Sequence, residues 1–302
     1  MRNSLSIISL INTKLKNGYD LTKNYNCRPI FIVGSGRSGN TLVRRILSNE
    51  QDVYIPPETY VLGHVIKDFS NYSKLEWPVL VRLVLSHFNL SEDFHFFPTQ
   101  SLRDLYFELV DLPESDRCLS TILDRFYLYM AKIVKPSATR WGDKTPLNSA
   151  HIESIYQVFP NAQFVHLVRN VYDVCLSYVK MGRYETYHDA AVRWRESNYA
   201  IEEFKKKAVN SVKTFKYEDL VVAPETNVRS LCDFLGLKYE HRLITDVPDP
   251  DILGDVKVSH YSNVQNAISS KSVGSGIREL SSETIDEIKE IAGPLVHYYG
   301  YV

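Results

Sequence analysis

The sequence lacks most of the features that would assign it at once to a class of protein. Its 302 residues include only four cysteines, far apart and without a CxxC pair. We therefore expect neither a zinc site nor a disulfide framework, and we expect a reducing compartment. These cysteines are Cys27, Cys118, Cys175 and Cys232. The nine histidines form no HExxH motif and no helical pair, so the sequence predicts no metal site.

The chain also lacks a strong net charge and a long hydrophobic run. The 35 Lys and Arg residues nearly balance the 36 Asp and Glu residues. Such a chain is not expected to bind nucleic acid in general, so a site for an anion must be built locally. The apolar run at residues 5–11 is too short to span a bilayer and shows no clear cleavage site. We therefore expect a cytoplasmic protein without a membrane span; its oligomeric state is not readable from the sequence.

Short apolar runs alternate with helical patterns along the chain, and 44% of the residues are hydrophobic. Strands are predicted at residues 29–33, 53–55, 162–168 and 211–217. Helices are predicted at 38–48, 118–134, from 172 onward, at 188–208, 228–235 and 283–291. This alternation predicts an α/β fold, in which a P-loop-like parallel sheet is flanked by helices on both faces.

The domain organisation follows from the same patterns. No internal repeat and no low-complexity linker divides the chain, so residues 1–302 are interpreted as a single domain. Residues 1–27 are polar and are expected to be peripheral. Residues 60–135 are mainly helical and are interpreted as a helical insertion over the sheet edge.

A glycine-rich loop, GSGRSGNT at residues 34–41, separates the first predicted strand from the first predicted helix. Backbone amides and a helix N-terminus at such a place form an anion site. The loop satisfies the dinucleotide pattern GxGxxG and nearly satisfies the P-loop pattern GxxxxGK[ST]. A tight strand–helix turn without a ligand is the alternative that carries no function.

Departures from both patterns narrow the choice of ligand. The P-loop lysine is replaced by Asn40, and a cation lies inside the loop instead, at Arg37. The strand at 162–168 ends in Arg169, where a nucleotide kinase would place an acid for magnesium. Glu58 lies near the position of the ribose-binding acid of a dinucleotide site, but two prolines separate it from the strand.

The loop, taken together with later segments, resembles the sulfotransferase superfamily, in the branch of bacterial and tyrosylprotein sulfotransferases. The segments that carry the resemblance are RPIFIVGSGRSGNTLVRRIL with PPETYVLGHV, WGDKTPLN with FPNAQFVHLVRNVYDVCLSY, KYEDL, and KSVGSGIREL. They occur in the family's order and span nearly the whole chain. The resemblance implies an enzyme that transfers a sulfuryl group from 3′-phosphoadenosine 5′-phosphosulfate (PAPS) to an acceptor hydroxyl. The product nucleotide is 3′-phosphoadenosine 5′-phosphate (PAP), and no metal is required.

The resemblance also implies roles for individual residues. The 5′-phosphosulfate loop falls on Gly36, Arg37, Ser38, Gly39, Asn40 and Thr41. The contacts to the 3′-phosphate fall on Arg169 and Ser177, and the contact to adenine falls on Tyr217. Lys271 and Gly274 would complete the 3′-phosphate site, although GSGIREL departs from the usual pattern there, and Arg278 is a further candidate.

Three residues are assigned to catalysis by the same resemblance. Glu58 would accept the proton of the acceptor hydroxyl, with His64 as the rival base. Lys144 would meet the bridging oxygen and, with Arg37, neutralise the charge that grows on the leaving phosphate. The helical region at 60–135 is expected on the acceptor side. The aromatic stretch 94–97 is interpreted as core or pocket wall, with the lining of the acceptor site as the alternative. The acceptor could be a small molecule, a carbohydrate, a lipid or tyrosine.

Other functions remain open at the level of the sequence. A P-loop small-molecule kinase would need ATP and magnesium, and a non-catalytic nucleotide-binding module would bind without turnover. A nicotinamide dehydrogenase is a further alternative. Glu58 and Lys144 together favour a catalyst over a binding module.

Overall fold

The computed structural model describes residues 18–23, 27–255 and 266–301. Most of the predicted peripheral segment 1–27 therefore lies outside the described residues. The described strands and α-helices follow one another as β1 (Ile30–Gly34), α1 (Asn40–Ser48), β2 (Val53–Tyr54), α2 (Leu62–Asn71), α3 (Trp77–Asn89), α4 (Arg103–Val110), α5 (Leu119–Val134), β3 (Arg140–Asp143), α6 (Ile152–Val158), β4 (Gln163–Val168), α7 (Val171–Lys180), α8 (Tyr187–Lys207), β5 (Val212–Lys216), α9 (Tyr217–Val222), α10 (Pro224–Leu235), α11 (Arg242–Thr245), α12 (Pro250–Leu253), α13 (Ser275–Glu279), α14 (Ser282–Ala292) and α15 (Pro294–Tyr298).

The strands form one parallel sheet in the order β2–β3–β1–β4–β5. The register of the central pairs sets Phe31 beside Asp143 on one side and beside Phe164 on the other. The α/β class and the parallel sheet flanked by helices, predicted from the sequence, are confirmed.

Strand β1 is covered on both faces, which explains its uninterrupted apolar sequence. Phe31 and Val33 point into a core formed with α2–α6 and α8. Ile30 and Ile32 point the other way, into a core formed with α1 and α10. All four side chains are fully buried, so each residue of the strand contributes apolar burial.

Strand β3 was not predicted, although it lies inside the sheet between β2 and β1. Its sequence, RWGD, contains one large apolar residue, so no strand period is visible. Trp141 stacks on Tyr127 of α5 with ring centroids 4.0 Å apart. Arg140 donates to the carbonyl oxygens of Arg28 at 2.6 Å and Leu235 at 2.7 Å. The strand depends on these distant partners, which a local pattern does not reveal.

Helices α2–α5 fill the chain between β2 and β3, in the region predicted to be helical. They share one apolar core with the sheet, in which Phe88 stacks on Phe126 at a centroid distance of 4.0 Å. Between α3 and α4, a short turn at Glu92–Phe96 approaches the segment after β2. A Cβ added to Gly254 would lie 2.4 Å from the carbonyl oxygen of Phe96 and 3.0 Å from Cγ of Pro57. This packing brings the helical region next to Glu58.

Candidate active site

The carboxyl ends of the parallel strands meet at one edge of the sheet, and each is followed there by residues singled out in the sequence. The glycine loop 34–41 follows β1, Glu58 follows β2 and Lys144 follows β3. Arg169 follows β4 and Tyr217 follows β5. Open parallel sheets bind ligands at this edge. The topology therefore gathers into one region residues that extend along the chain from the glycine loop to Tyr217.

The backbone of the loop is shaped by glycine at two places in particular. Gly39 begins α1 with φ 97°, in the left-handed region that disfavours other residues. A Cβ on Gly36 would lie 2.4 Å from the hydroxyl oxygen of Tyr178. Arg37 also has a left-handed φ, of 66°, which costs a non-glycine residue about 1–2 kcal/mol. Backbone strain of this kind clusters at ligand-binding sites.

The two predicted phosphate-binding arginines lie in the same site. Nε of Arg37 donates to Oγ of Ser177 at 3.0 Å. Nη1 of Arg169 donates to the carbonyl oxygen of Arg37 at 3.3 Å. Ser177 lies on α7, two turns beyond Arg169, because α7 starts immediately after the turn that follows β4. The structure thus brings Arg37, Arg169 and Ser177 together.

Tyr217 lies directly beside these groups. Its ring centroid is 4.4 Å from the guanidinium carbon of Arg169, within the range of a cation–π contact. A Cβ on Gly39 would lie 2.5 Å from Cδ2 of the same ring. The tyrosine hydroxyl is 3.0 Å from Oγ of Ser272, near the predicted C-terminal contacts.

Several buried polar atoms of this region have no hydrogen-bond partner among the described residues. Oγ of Ser38 and Nε of Arg169 are two such groups, and Oδ1 of Asn40 is a third. The side-chain Nδ2 of Asn40 donates to the carbonyl oxygen of Ser35 at 2.9 Å and so holds the loop. Buried polar groups are normally satisfied. Unsatisfied donors beside a glycine loop fit an anionic ligand. Thr41, the last residue of the predicted loop, lies in the first turn of α1.

Glu58 and Lys144 form a salt bridge at the ends of β2 and β3. Nζ of Lys144 donates to Oε1 of Glu58. The lysine side chain is fully buried and that of the glutamate is 8% exposed. The rival base, His64, is exposed on α2. The structure thus pairs the predicted base with the predicted lysine, 86 positions apart.

A polar network holds the backbone on either side of this pair, and sequence reasoning missed it. Asp143 accepts hydrogen bonds from Oγ1 of Thr59 at 2.9 Å, the Tyr127 hydroxyl at 2.7 Å and Nδ2 of Asn148 at 2.8 Å. The amide of Thr59 donates to Oγ1 of Thr145 at 3.1 Å. Burial raises the pKa of the Asp143 carboxyl. The sequence did contain one indication of this network, because Asp143 directly precedes the predicted catalytic Lys144 in the segment WGDKTPLN.

Two titratable groups border Glu58 on the side of the helical region. Partial burial, and then the Glu58 carboxylate, raise the pKa of the Tyr60 hydroxyl. Partial burial, and then Glu58 again, raise the pKa of Asp93. The surroundings of Glu58 therefore combine an aromatic hydroxyl with a second carboxyl.

Of the predicted C-terminal contacts, Gly274 lies at the start of a helix that packs on α7, whereas Lys271 and Arg278 are exposed. Gly274 has φ 73° and begins α13, and its amide donates to Oδ2 of Asp173 at 2.9 Å. Lys271 is exposed. Arg278 is exposed and donates to the carbonyl oxygen of Val273 at 2.9 Å. Sequence reasoning missed Ser272, whose carbonyl oxygen accepts from Nη2 of Arg169 at 2.8 Å.

Across residues 18–23, 27–255 and 266–301, no group of three or more His, Cys, Asp or Glu side chains could hold a metal ion. In the same part of the chain, none of the helices has the length and apolar character needed to cross a membrane.

Relatives of this chain have been described in several organisms. The chain is 24% identical to a protein-tyrosine sulfotransferase of Drosophila melanogaster over 90% of its own length and 51% of the relative. It is also 24% identical to an uncharacterised protein of Aquifex aeolicus, over 72% of this chain and 26% of that one. The chain thus spans about half, or less, of the length of these relatives.

The fold and a family model agree with these similarities. The sulfotransferase domain of the Synechococcus PCC 7002 olefin synthase superposes with a TM-score of 0.61 at 22% identity, covering 92% of this chain and 99% of that domain. The model of the sulfotransferase family matches residues 29–241, from the residue before β1 to the residue before α11. This match includes the glycine loop, Glu58, Lys144, Arg169 and Tyr217, and the chain belongs to the sulfotransferase family.

Proposed function

We propose that this sulfotransferase uses PAPS as donor and transfers its sulfuryl group to an acceptor hydroxyl. One observation carries the choice of donor: Nη1 of Arg169 donates to the backbone carbonyl oxygen of Arg37, so both arginines lie in one site, where the buried Oγ of Ser38 and Nε of Arg169 have no partner among the described residues. A nucleotide with separate 5′ and 3′ anionic groups needs two such cationic positions within one site.

The residues divide between the two ends of the donor. Gly36, Ser38, Gly39 and Asn40, with Arg37 and Thr41, would hold the 5′-phosphosulfate at the N-terminus of α1. Arg169 and Ser177 would hold the 3′-phosphate. Tyr217 would contact the adenine, as the resemblance to the family implies, and its ring lies beside both Gly39 and the Arg169 guanidinium.

The transfer step is a displacement at sulfur. The acceptor oxygen forms a new S–O bond while the S–O bond to the 5′-phosphate breaks, and PAP leaves with the bonding electrons. The acceptor proton passes to the carboxylate of Glu58. Lys144 and Arg37 neutralise the charge that develops on the bridging oxygen and the phosphate.

The salt bridge between Glu58 and Lys144 supports this division of roles. An ammonium group beside the carboxylate favours its ionised form, which a base requires. The same contact fixes the lysine at the carboxyl end of β3, next to β1 and its loop. The acceptor would approach from the side of α2 and the Glu92–Phe96 turn, where Tyr60 and Asp93 lie beside Glu58.

Ligand-induced thermal stabilisation tests the choice of donor. Saturating PAP at 100 times its dissociation constant should stabilise the protein by about 2.7 kcal/mol. The Arg169→Ala variant should lose this shift, whereas Arg229→Ala, at an exposed position of α10, should keep it. Transfer of radiolabelled sulfuryl from PAPS to a panel of hydroxylated acceptors provides the activity readout. Absence of a thermal shift at millimolar PAP would rule out this donor.

A further inference from the structure

Asp173, which sequence reasoning did not single out, is a buried carboxylate in the first turn of α7. Its side chain is fully buried, and four groups from outside α7 surround it. Oδ1 accepts from the amide of Gly276 at 2.7 Å and from Oγ of Ser275 at 3.3 Å. Oδ2 accepts from the amide of Gly274 at 2.9 Å and lies 3.4 Å from Nη2 of Arg169.

The segment that Asp173 holds, residues 272–276, lies against residues of the predicted nucleotide site. The carbonyl oxygen of Ser272 accepts from Arg169 at 2.8 Å, and its hydroxyl is 3.0 Å from the hydroxyl oxygen of Tyr217. The segment therefore contacts both the arginine and the tyrosine assigned to the nucleotide. These contacts join chain positions that are 103 and 55 residues apart.

The segment can approach α7 because Gly276 has no side chain. A Cβ there would lie 2.3 Å from the carbonyl carbon of Tyr172 and 2.6 Å from the amide nitrogen of Asp173. Both atoms belong to the backbone, so they cannot move aside easily. The amide of Gly274 is already engaged by Asp173, which leaves Gly274 a conformational role, with φ 73°, rather than that of a phosphate donor.

We propose that Asp173 is a positioning residue that fastens residues 272–276 to α7 and orients Arg169, and so builds the half of the site that recognises the 3′-phosphate. The inference rests on the proposed donor. The nucleotide site then has two halves. The glycine loop after β1 serves the 5′ group and makes no contact with Asp173. Arg169 and residues 272–276 serve the 3′-phosphate, and both depend on Asp173.

The test compares the affinity of the protein for a nucleotide with a 3′-phosphate and for one without it. Binding of PAP and of adenosine 5′-phosphate, which lacks that group, is measured by calorimetry or by competition for wild type and Asp173→Asn. Asparagine keeps the size but replaces one of the two acceptor oxygens by a donor, and it removes the negative charge beside Arg169. We expect the affinity for PAP to fall at least about tenfold, while that for adenosine 5′-phosphate changes less than about threefold.

Two further variants make the test independent of folding. Gly276→Ala leaves the carboxylate intact but displaces the segment, and it should show the same selective loss. Asp233→Asn makes the same chemical change at an exposed position of α10 and should bind both nucleotides as wild type does. Thermal melting without nucleotide reports whether each variant is folded.

The outcomes separate this inference from the proposed function. Equal losses for both nucleotides in Asp173→Asn and Gly276→Ala would mean a merely structural role and would overturn the inference, as would no loss for either. A wild-type protein without preference for PAP would instead overturn the donor assignment, and the positioning role with it.

Discussion

The salt bridge between Glu58 and Lys144 allows its structural and catalytic contributions to be separated. In Glu58→Gln, the ammonium of Lys144, which is fully buried, loses its charged partner. Removing one member of a buried ion pair costs about 3–5 kcal/mol. Lys144→Met leaves the carboxylate instead and should cost a similar amount. The double variant leaves neither buried charge, and only the neutral amide introduced by Glu58→Gln replaces the pair, so its stability should lie closer to wild type than that of either single variant, within about 1–2 kcal/mol.

These energies correspond to measurable melting temperatures. With an unfolding entropy of about 2.1 cal/mol/K per residue, 302 residues give a shift of about 1.6 °C for each kcal/mol. Each single variant should therefore melt about 5–8 °C below wild type, whereas the double variant should melt within about 3 °C of it. Activity should behave differently, because the double variant restores neither the base nor the cation. All three variants should lose at least about a hundredfold in sulfuryl transfer.

The assay combines thermal melting with transfer of labelled sulfuryl from PAPS. A matched control is the exposed salt bridge between Lys207 and Glu153, whose side chains are 67% and 54% exposed. The variants Glu153→Gln and Lys207→Met should melt within about 1 °C of wild type, because surface pairs contribute little. Wild-type melting of Glu58→Gln would refute the energetic reasoning, and activity in the double variant would refute the catalytic roles.

Two further predictions concern the glycine loop and the core. Gly39→Ala would place a Cβ 2.5 Å from Cδ2 of Tyr217, at a residue whose φ is 97°, so the affinity for PAP should fall at least about tenfold in a titration. The control is Gly182→Ala, where φ is 69° but a Cβ would meet no atom within 4 Å; this variant should bind PAP as wild type does. Burial lowers the pKa of His166 to about 4 from 6.5, so the folded state keeps it neutral and stability is lost as pH falls from 6.5 toward 4. In urea unfolding, the titration of His166 should make the protein about 2 kcal/mol less stable at pH 5 than at pH 7.5. The His166→Gln variant should lack this contribution to the pH dependence. An equal pH dependence in wild type and variant would contradict the prediction.

Much of the fold could be predicted because the signals were local. Strands β1 and β4 are largely apolar runs, β5 contains Val, Thr and Phe, which favour strands, and α5 carries an apolar face at helical spacing. The turn between β1 and α1 is marked by glycines whose positions follow from backbone geometry. Strand β3 could not be predicted, because its residues are satisfied by Tyr127, Arg28 and Leu235, none of which is a sequence neighbour.

What the sequence alone determined was the list of chemical groups: a glycine loop with an internal arginine, an arginine ending one strand, a tyrosine following another, and a glutamate and a lysine between them. Only the tertiary structure decided how they combine. It joins Glu58 to Lys144, Arg37 to Ser177, and Asp173 to residues 272–276. The physical reason is that propensity and period act over a few residues. Ion pairs and hydrogen bonds between distant segments depend instead on strand order, which sets the carboxyl ends of all strands along one edge of the sheet.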